Sequence, residues 1–399
     1  MSDAELDQVN DALDTLLAEH DPKAEGYEEF RGHQYDHGLA WVQYPAGKGG
    51  LGVRPQLQRE VNRRLAEAGA KPMDPSMFFI ALAGPTILTH GSDEQHDRFL
   101  RPMFTGEHKW CQLFSEPGAG SDFAGLGTKA VQDGDEWIVN GQKVWNTLAH
   151  IADWGMLVTR TDPDMPKHKG MTYFALDMKA EGVEVRPLRQ ITGEAEFNEV
   201  YMTDVRVPDD CRIGERGEGW RAALTTLMNE RTAIGGGGGG SAPKVGSGAI
   251  GNLVKVYEAS DQKDEARQDE LMQLWIRAEV LRLTNMRAIQ AAKKGQPGPE
   301  GSVAKLAGAE LNKDIYSWAV GLQGMAGQVG FDYTFRRPGA VDLDGSSQGI
   351  GYAFLRARAN SIEGGTSEVL RNIMGEQMLG LPGEPRIDKD VAWSDVPKN

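Results

Sequence analysis

The sequence predicts an α+β protein in three parts: an N-terminal helical domain, a middle antiparallel β-domain and a C-terminal helical domain. Three observations carry this. Apolar residues recur at helical spacing in both outer parts, as in Leu6, Val9, Leu13, Leu16 and Leu17, and again in Val303, Leu306, Leu311, Ile315 and Trp318. Between about residues 109 and 215 the pattern changes to short β-branched and aromatic runs separated by turns. Gly-rich segments punctuate the junctions. The expected boundaries are 1–108, 109–216 and 217–399.

In the first part, Ser2 and Glu5 form a capping-box pattern ahead of the first helix. Residues 41–52 carry five Gly or Pro breakers and read as a loop. Helical signals resume from about Gln56 to Glu67. Pro75 and Pro85 are expected to mark boundaries, and Asp93–Arg101 a short helix ending near Pro102. In the middle part, Asp133-Gly134 and Asn140-Gly141 read as turns flanking the strand Trp137-Ile138-Val139. Met156–Arg160 and Met171–Leu176 read as two further strands, and Val183, Val185, Val200, Tyr201, Val205 and Val207 as short ones. In the last part, Trp220–Arg231, Gln268–Lys294 and Ser302–Leu322 read as helices. Gly235–Gly240 is a run of six glycines, each costing a helix roughly 1 kcal/mol. It reads as a loop, with room for a bulky ligand as the functional alternative. Thr366 and Glu368 suit the first turn of a closing helix, and residues after Leu381 an extended tail.

Bulk properties narrow the function. The 399 residues allow two or three domains around a large core. A net charge of −15 argues against non-specific nucleic-acid binding and against an anionic membrane surface. No apolar run is long enough to span a bilayer, and the acidic start Met1–Glu5 lacks a signal peptide's features. The two cysteines, Cys111 and Cys211, read as reduced thiols, so a cytoplasmic location is expected. Neither lies in a metal-ligand pattern, and no metal site is expected. A phosphate-binding loop and a nicotinamide Gly-x-Gly-x-x-Gly turn are both missing, and the histidines stop at His168, which leaves a Ser-His-Asp hydrolase little support.

The informative stretch runs from Trp110 to Asn146. Pro117-Gly118-Ala119-Gly120-Ser121 is a turn whose glycines let backbone N–H groups approach an anion or a flat cofactor. Ser115-Glu-Pro-Gly-Ala-Gly-Ser121-Asp, then Asn140-Gly-Gln-Lys-Val-Trp145-Asn-Thr147, then Glu363-Gly-Gly-Thr-Ser-Glu-Val-Leu-Arg-Asn and Leu379-Gly-Leu-Pro, together resemble the acyl-CoA dehydrogenase family over roughly Trp41–Pro382. That resemblance implies a FAD flavoprotein whose C-terminal domain is a four-helix bundle. It implies that Gln112, Leu113, Ser115, Gly120 and Ser121 line the flavin, with Ser121 also near CoA. Trp145 would pack on the isoalloxazine and Thr147 would hydrogen-bond near N5. Gln323–Gly327 would hold the adenosine-diphosphate part of FAD from a neighbouring subunit, with Thr366 and Glu368 as further FAD contacts.

Many family members place the catalytic Glu directly before Gly-Thr; here Gly364 stands there and Glu363 is one residue early. Glu230-Arg231 matches the branch that carries the base on a bundle helix before an Arg. The resemblance therefore implies Glu230 as base, Arg231 beside CoA, and the Gly364 N–H as a donor to the thioester oxygen. It further implies an electron-transfer flavoprotein as electron acceptor. The family's Arg-x-x-Phe-Gly segment, which reaches FAD across a dimer, is missing, and Gln323-Gly-Met-Ala-Gly lacks the common adjacent glycines. Both departures resemble actinobacterial enzymes acting on steroid or other bulky acyl-CoA esters, as homotetramers or α2β2 heterotetramers. The competing expectations are a non-catalytic subunit completing a partner's FAD site, and a flavin oxidase or monooxygenase on the same scaffold.

Overall fold

The computed structural model describes residues 3–234, 244–293, 300–329, 333–340, 349–386, 388 and 390–397. The Gly235–Gly240 run and the Ser2 cap lie outside the described residues. The first helix, α1 (Ala4–Glu19), takes Asp3 as its N-cap and buries Val9, Leu13 and Leu16. These close a small core with Phe30 of α2 (Tyr27–Asp36), Val61 and Leu65 of α3 (Gln58–Ala68), and Leu39, Val42 and Val53 of the Gly-rich loop.

Two expected boundaries fall inside helices. Pro85 sits within α4 (Ile80–His90) and Pro102 within α5 (Asp93–Thr105). A helix-interior proline costs about 3 kcal/mol. Here burial of Ile80, Leu82, Ala83 and Ile87, and of Phe99, Leu100, Met103 and Phe104, outweighs it.

The middle region is one eight-stranded sheet: β1 (Trp110–Leu113), β2 (Lys129–Asp133), β3 (Glu136–Lys143), β4 (Trp154–Arg160), β5 (Met171–Asp177), β6 (Val183–Pro187), β7 (Asn198–Pro208) and β8 (Arg212–Ile213). The order is β6-β7-β3-β2-β4-β5-β8, with β1 added alongside β4. The long pairings are antiparallel; β1 runs parallel to β4, which brings Gln112 beside Met156. Asp133-Gly134 forms the expected hairpin turn between β2 and β3. Asn140-Gly141 does not turn the chain. It is an irregularity inside β3, where the pairing with β7 slips between Val139 and Gly141. The Asn140 amide exchanges two 2.9 Å hydrogen bonds with Asp204, which holds φ 50° on the facing strand. A Cβ at Gly141 would stand 2.4 Å from the Thr128 hydroxyl, so only glycine lets β2 approach there. Val200 and Val205 accordingly belong to one eleven-residue strand rather than two short ones.

The chain then returns to helix. α6 (Gly219–Ile234) packs on α4 and β5, burying Ala222, Ala223 and Thr226. α7 (Ala249–Ala259), α8 (Glu265–Lys293) and α9 (Glu300–Leu322) share a core of Ile250, Leu253, Leu271, Leu274, Leu311, Ile315 and Ala319. α10 (Ile350–Arg356) and α11 (Ser367–Ile373) pack against α9. The closing segment is not a free tail. The Trp393 backbone N–H donates to Met165 O at 3.0 Å and its indole to Gly125 O at 3.2 Å. Its ring lies 5.0 Å from the buried Arg160 guanidinium.

Candidate active site

The Gly loop is built around one buried ion pair. Lys143 is fully buried, 2.7 Å from Glu116, and also donates to Phe114 O at 3.1 Å. Glu116 accepts in addition from the N–H groups of Gly127 at 2.7 Å and Thr128 at 2.9 Å. Burial alone would raise the Glu116 carboxyl; Lys143 and those two donors outweigh it and hold it below its usual range. The loop closes on itself where Glu116 and Ala119 exchange backbone hydrogen bonds of 3.0 Å. A Cβ on Gly118 or Gly120 would meet nothing within 4 Å, so this face opens onto space. Ser115 is half-buried and Ser121 exposed on it.

The second half of the wall follows β3. Trp145 holds φ 62° and is 56 % exposed, with Phe197 edge-on at 5.8 Å. A non-glycine residue in that conformation is strained, by about 1–3 kcal/mol. Its neighbours fix it: Asn146 Nδ2 donates to Gln112 O at 2.8 Å, Asn146 N to Asn198 O at 3.0 Å, and Leu148 N to Glu196 O at 2.9 Å. Asn146 Oδ1 is buried without a hydrogen bond. Thr147 is half-buried beside it. Leu113 turns into the core, against Gly155, so its backbone is what remains for a ligand. A presented flat ring, open glycines, two hydroxyls and an unsatisfied amide oxygen fit a large, flat, polar-edged group such as the flavin of FAD.

The chain's fold brings Glu230 to this wall. Gln112 Nε2 donates to Glu230 Oε2 at 3.3 Å, joining β1 to the C-terminal end of α6 across 118 residues. Arg231 continues α6, and its side chain lies outside the described residues. Glu363 is committed elsewhere: it pairs with Arg356 at 2.9 Å and accepts from Asn360 at 2.8 Å. Gly364 and Gly365 follow at φ 61° and 97°. Thr366 is the N-cap of α11, accepting from Val369 N at 3.2 Å, while Glu368 is exposed beside Arg371. Gln323 and Gly327 sit in a short turn of helix just after α9, next to the exposed Met325 and Val329.

One residue here had no signal in the sequence. Lys305 of α9 donates from Nζ to Gly365 O and is half-buried. On a helix read by its apolar face, a lysine next to Leu306 looks like ordinary solvent-facing charge. The Lys143–Glu116 pair was equally silent, although period-two alternation along β3 puts Lys143 on the buried side. Away from this site, His20, Glu25 and His33 cluster with His20 Nδ1 3.0 Å from Glu25. The two imidazoles stack 3.5 Å apart with planes 12° from parallel, and one ligand atom from each of the three residues lies within 4.8 Å of the others.

The acyl-CoA dehydrogenase N-terminal, middle and C-terminal domain models match residues 5–107, 111–205 and 217–379. The acyl-CoA dehydrogenase FadE34 of Mycobacterium tuberculosis is 41 % identical over 352 residues, which are 87 % of this chain and 45 % of that protein. This chain thus spans under half the length of that relative. The acyl-CoA dehydrogenase IpdE1 of the same organism is 34 % identical over 88 % of this chain and 86 % of its own. Among solved structures, the Tcur3481-Tcur3483 steroid ACAD matches with TM-score 0.70 and 26 % identity, covering 96 % of this chain and 99 % of that one.

Proposed function

The chain belongs to the acyl-CoA dehydrogenase family, whose members are FAD-dependent oxidoreductases, and from that premise we propose that it dehydrogenates an acyl-CoA thioester at Cα–Cβ with Glu230 as base. The observation that carries the reading is the Gln112–Glu230 contact, which sets a carboxylate against the wall that fits a flavin. FAD, when bound, accepts the hydride that leaves Cβ, so the product is the 2-enoyl-CoA. Glu230 takes the α-proton. Covering a carboxylate with an apolar acyl chain removes water from it and strengthens it as a base. The Gln112 amide donates to that carboxylate and so contributes to its orientation. The Gly364 N–H lies in a turn with no side chain of its own to block a thioester oxygen, and donates to the charge that develops there. Trp145 offers its exposed ring to the flavin face, Ser115 and Thr147 supply hydroxyls, and Gly120, Ser121, Thr366 and Glu368 make further contacts to FAD, Ser121 also lying near CoA. Arg231 belongs beside CoA.

The Gln323–Gly327 turn serves a second chain of the same fold. Supporting this, α8 leaves Met272, Ile276, Val280 and Leu283 exposed at helical spacing, an apolar stripe suited to a subunit contact. Electrons pass on to an electron-transfer flavoprotein. The likeness to the Tcur3481-Tcur3483 steroid ACAD supports a bulky acyl group and an assembly with a second, different chain.

The test is anaerobic bleaching of the purified flavoprotein by acyl-CoA esters from short linear to steroid. Bleaching with a bulky ester is expected. A yellow protein that no ester bleaches would sink the reading; a colourless chain that gains flavin only with a partner would instead favour the non-catalytic subunit.

A further inference from the structure

We propose that His20, Glu25 and His33 form a binding site for one divalent transition-metal ion of the zinc class, which staples the end of α1 to α2. The site lies in the N-terminal helical domain, on residues that the proposed dehydrogenation does not use.

The three donors come from separate pieces of backbone. His20 is the residue at which α1 ends, Glu25 stands in the connection just before α2, and His33 is in the last turn of α2. Spread from position 20 to position 33, they escape a search for closely spaced ligand pairs. The connection is tightly folded: Glu25 N donates to Asp21 O at 3.0 Å, and Gly26 is the N-cap of α2. Leu13 and Leu16 of α1 share a core with Phe30 of α2, so helix packing fixes where the donors stand.

Two observations point to a cation among them. The first is distance. Glu25 turns one oxygen to each imidazole: Oε1 is 3.0 Å from His20 Nδ1 and Oε2 is 3.9 Å from His33 Nε2. A tetrahedral site with bonds of about 2.0–2.2 Å sets neighbouring ligand atoms roughly 3.4 Å apart, between those two separations. The second is an unmet acceptor. Glu25 Oε2 is buried and takes no hydrogen bond from the described residues, and burying a polar atom in that state is costly. An ion between it and His33 would satisfy it. The ring stacking agrees with this. Two protonated imidazoles 3.5 Å apart would repel, whereas neutral ones, the form that ligates metals, stack without that cost. To aim both lone pairs at one ion, the rings tilt toward one another from their present 12°.

Two imidazoles with one carboxylate select zinc and its neighbours over Mg²⁺ and Ca²⁺, which take oxygen ligands. His37, the C-cap of α2, borders the site with its ring 6.0 Å from that of His20. Its Nδ1 donates to His33 O at 2.9 Å, since a carbonyl only accepts, and its Nε2 lies 3.5 Å from Glu19. Glu19 thereby adds a second carboxylate at the rim, and water completes the coordination.

The experiment titrates the tag-free, chelator-treated full-length flavoprotein with Zn²⁺ alone, by calorimetry and by thermal unfolding. Wild type is expected to saturate at one Zn²⁺ per chain, with an unfolding midpoint that rises as zinc is added, and excess Mg²⁺ should leave both unchanged. His33→Ala and Glu25→Gln should each weaken binding at least about tenfold and abolish the zinc-dependent rise. Glu25→Gln keeps the side chain's shape, so a zinc-free midpoint near wild type separates loss of the ligand from loss of the fold. Failure of wild type to saturate at one equivalent, equal binding by Glu25→Gln, or displacement of zinc by Mg²⁺ would each overturn the proposal.

Discussion

The two sides of the site are built differently. The β wall is held by its own chain within a few dozen residues: Lys143 on Glu116, Asn146 on Gln112, Gly141 against Thr128. The opposite side gathers Glu230, Lys305 and Gly364 from α6, α9 and the turn before α11, segments that lie far apart in sequence. The wall is therefore a preformed surface whose geometry survives changes elsewhere. The helical side is an assembly of remote groups, and its geometry depends on how the helices dock. A surface built this way can present a cofactor; on the proposed role of Glu230, the reactive group comes from the docked helices.

Substitutions can break or sharpen this contrast. The largest effect is expected at Glu230→Gln, which should lower substrate-dependent flavin bleaching by about 10²–10⁴-fold while leaving the flavin spectrum intact. Loss of the spectrum too would mean that the helical side also builds the wall. Next comes Lys143→Met, which strands a buried carboxylate at Glu116. Urea unfolding should show a cost of about 3–5 kcal/mol, with lower flavin content. The same pair carries a pH signature. The Glu116 carboxyl is held below its usual range, so its share of stability is complete above the unfolded carboxyl's pKa of about 4.3 and is lost as pH falls through the folded value. An unfolding midpoint that shows no acid dependence attributable to Glu116, compared between wild type and Lys143→Met, would deny the pair this role. A smaller change is expected for Glu363→Gln, because that acid serves Arg356 and Asn360: bleaching should stay within about tenfold of wild type. A larger drop would reopen Glu363 as the base. Smallest is Thr366→Ala, which removes the α11 cap and should cost about 1 kcal/mol by thermal unfolding, with amide exchange quickened at Val369.

The helix–sheet–helix order and the long helices were legible because periodicity survives in single sequences, as in Val9, Leu13 and Leu16. The β wall was legible as motif because its contacts are local. What the sequence hid are cases where tertiary packing overrides a local rule. Pro85 and Pro102 stay inside helices because their neighbours are buried. Asn140-Gly141 looks like a turn, yet β7 captures its side chain through Asp204. Lys305 carries no mark at all, since its hydrogen-bond partner is a main-chain carbonyl and, Glu310 of its own helix apart, the acids that act on it lie on other elements. Trp393 was hidden for a related reason: its contacts lie near the middle of the chain.

That last contact has a kinetic meaning. Trp393 joins Gly125 across 268 positions, and the loop-closure entropy of such a contact is met only when the intervening structure is already compact. During synthesis, the β-sheet can form well before residue 393 emerges, with the Asp122–Gly127 segment still lacking its cover. Arg160 would stand beside an open edge until the indole arrives. The strap is thus expected to close late in folding and to be released early in unfolding.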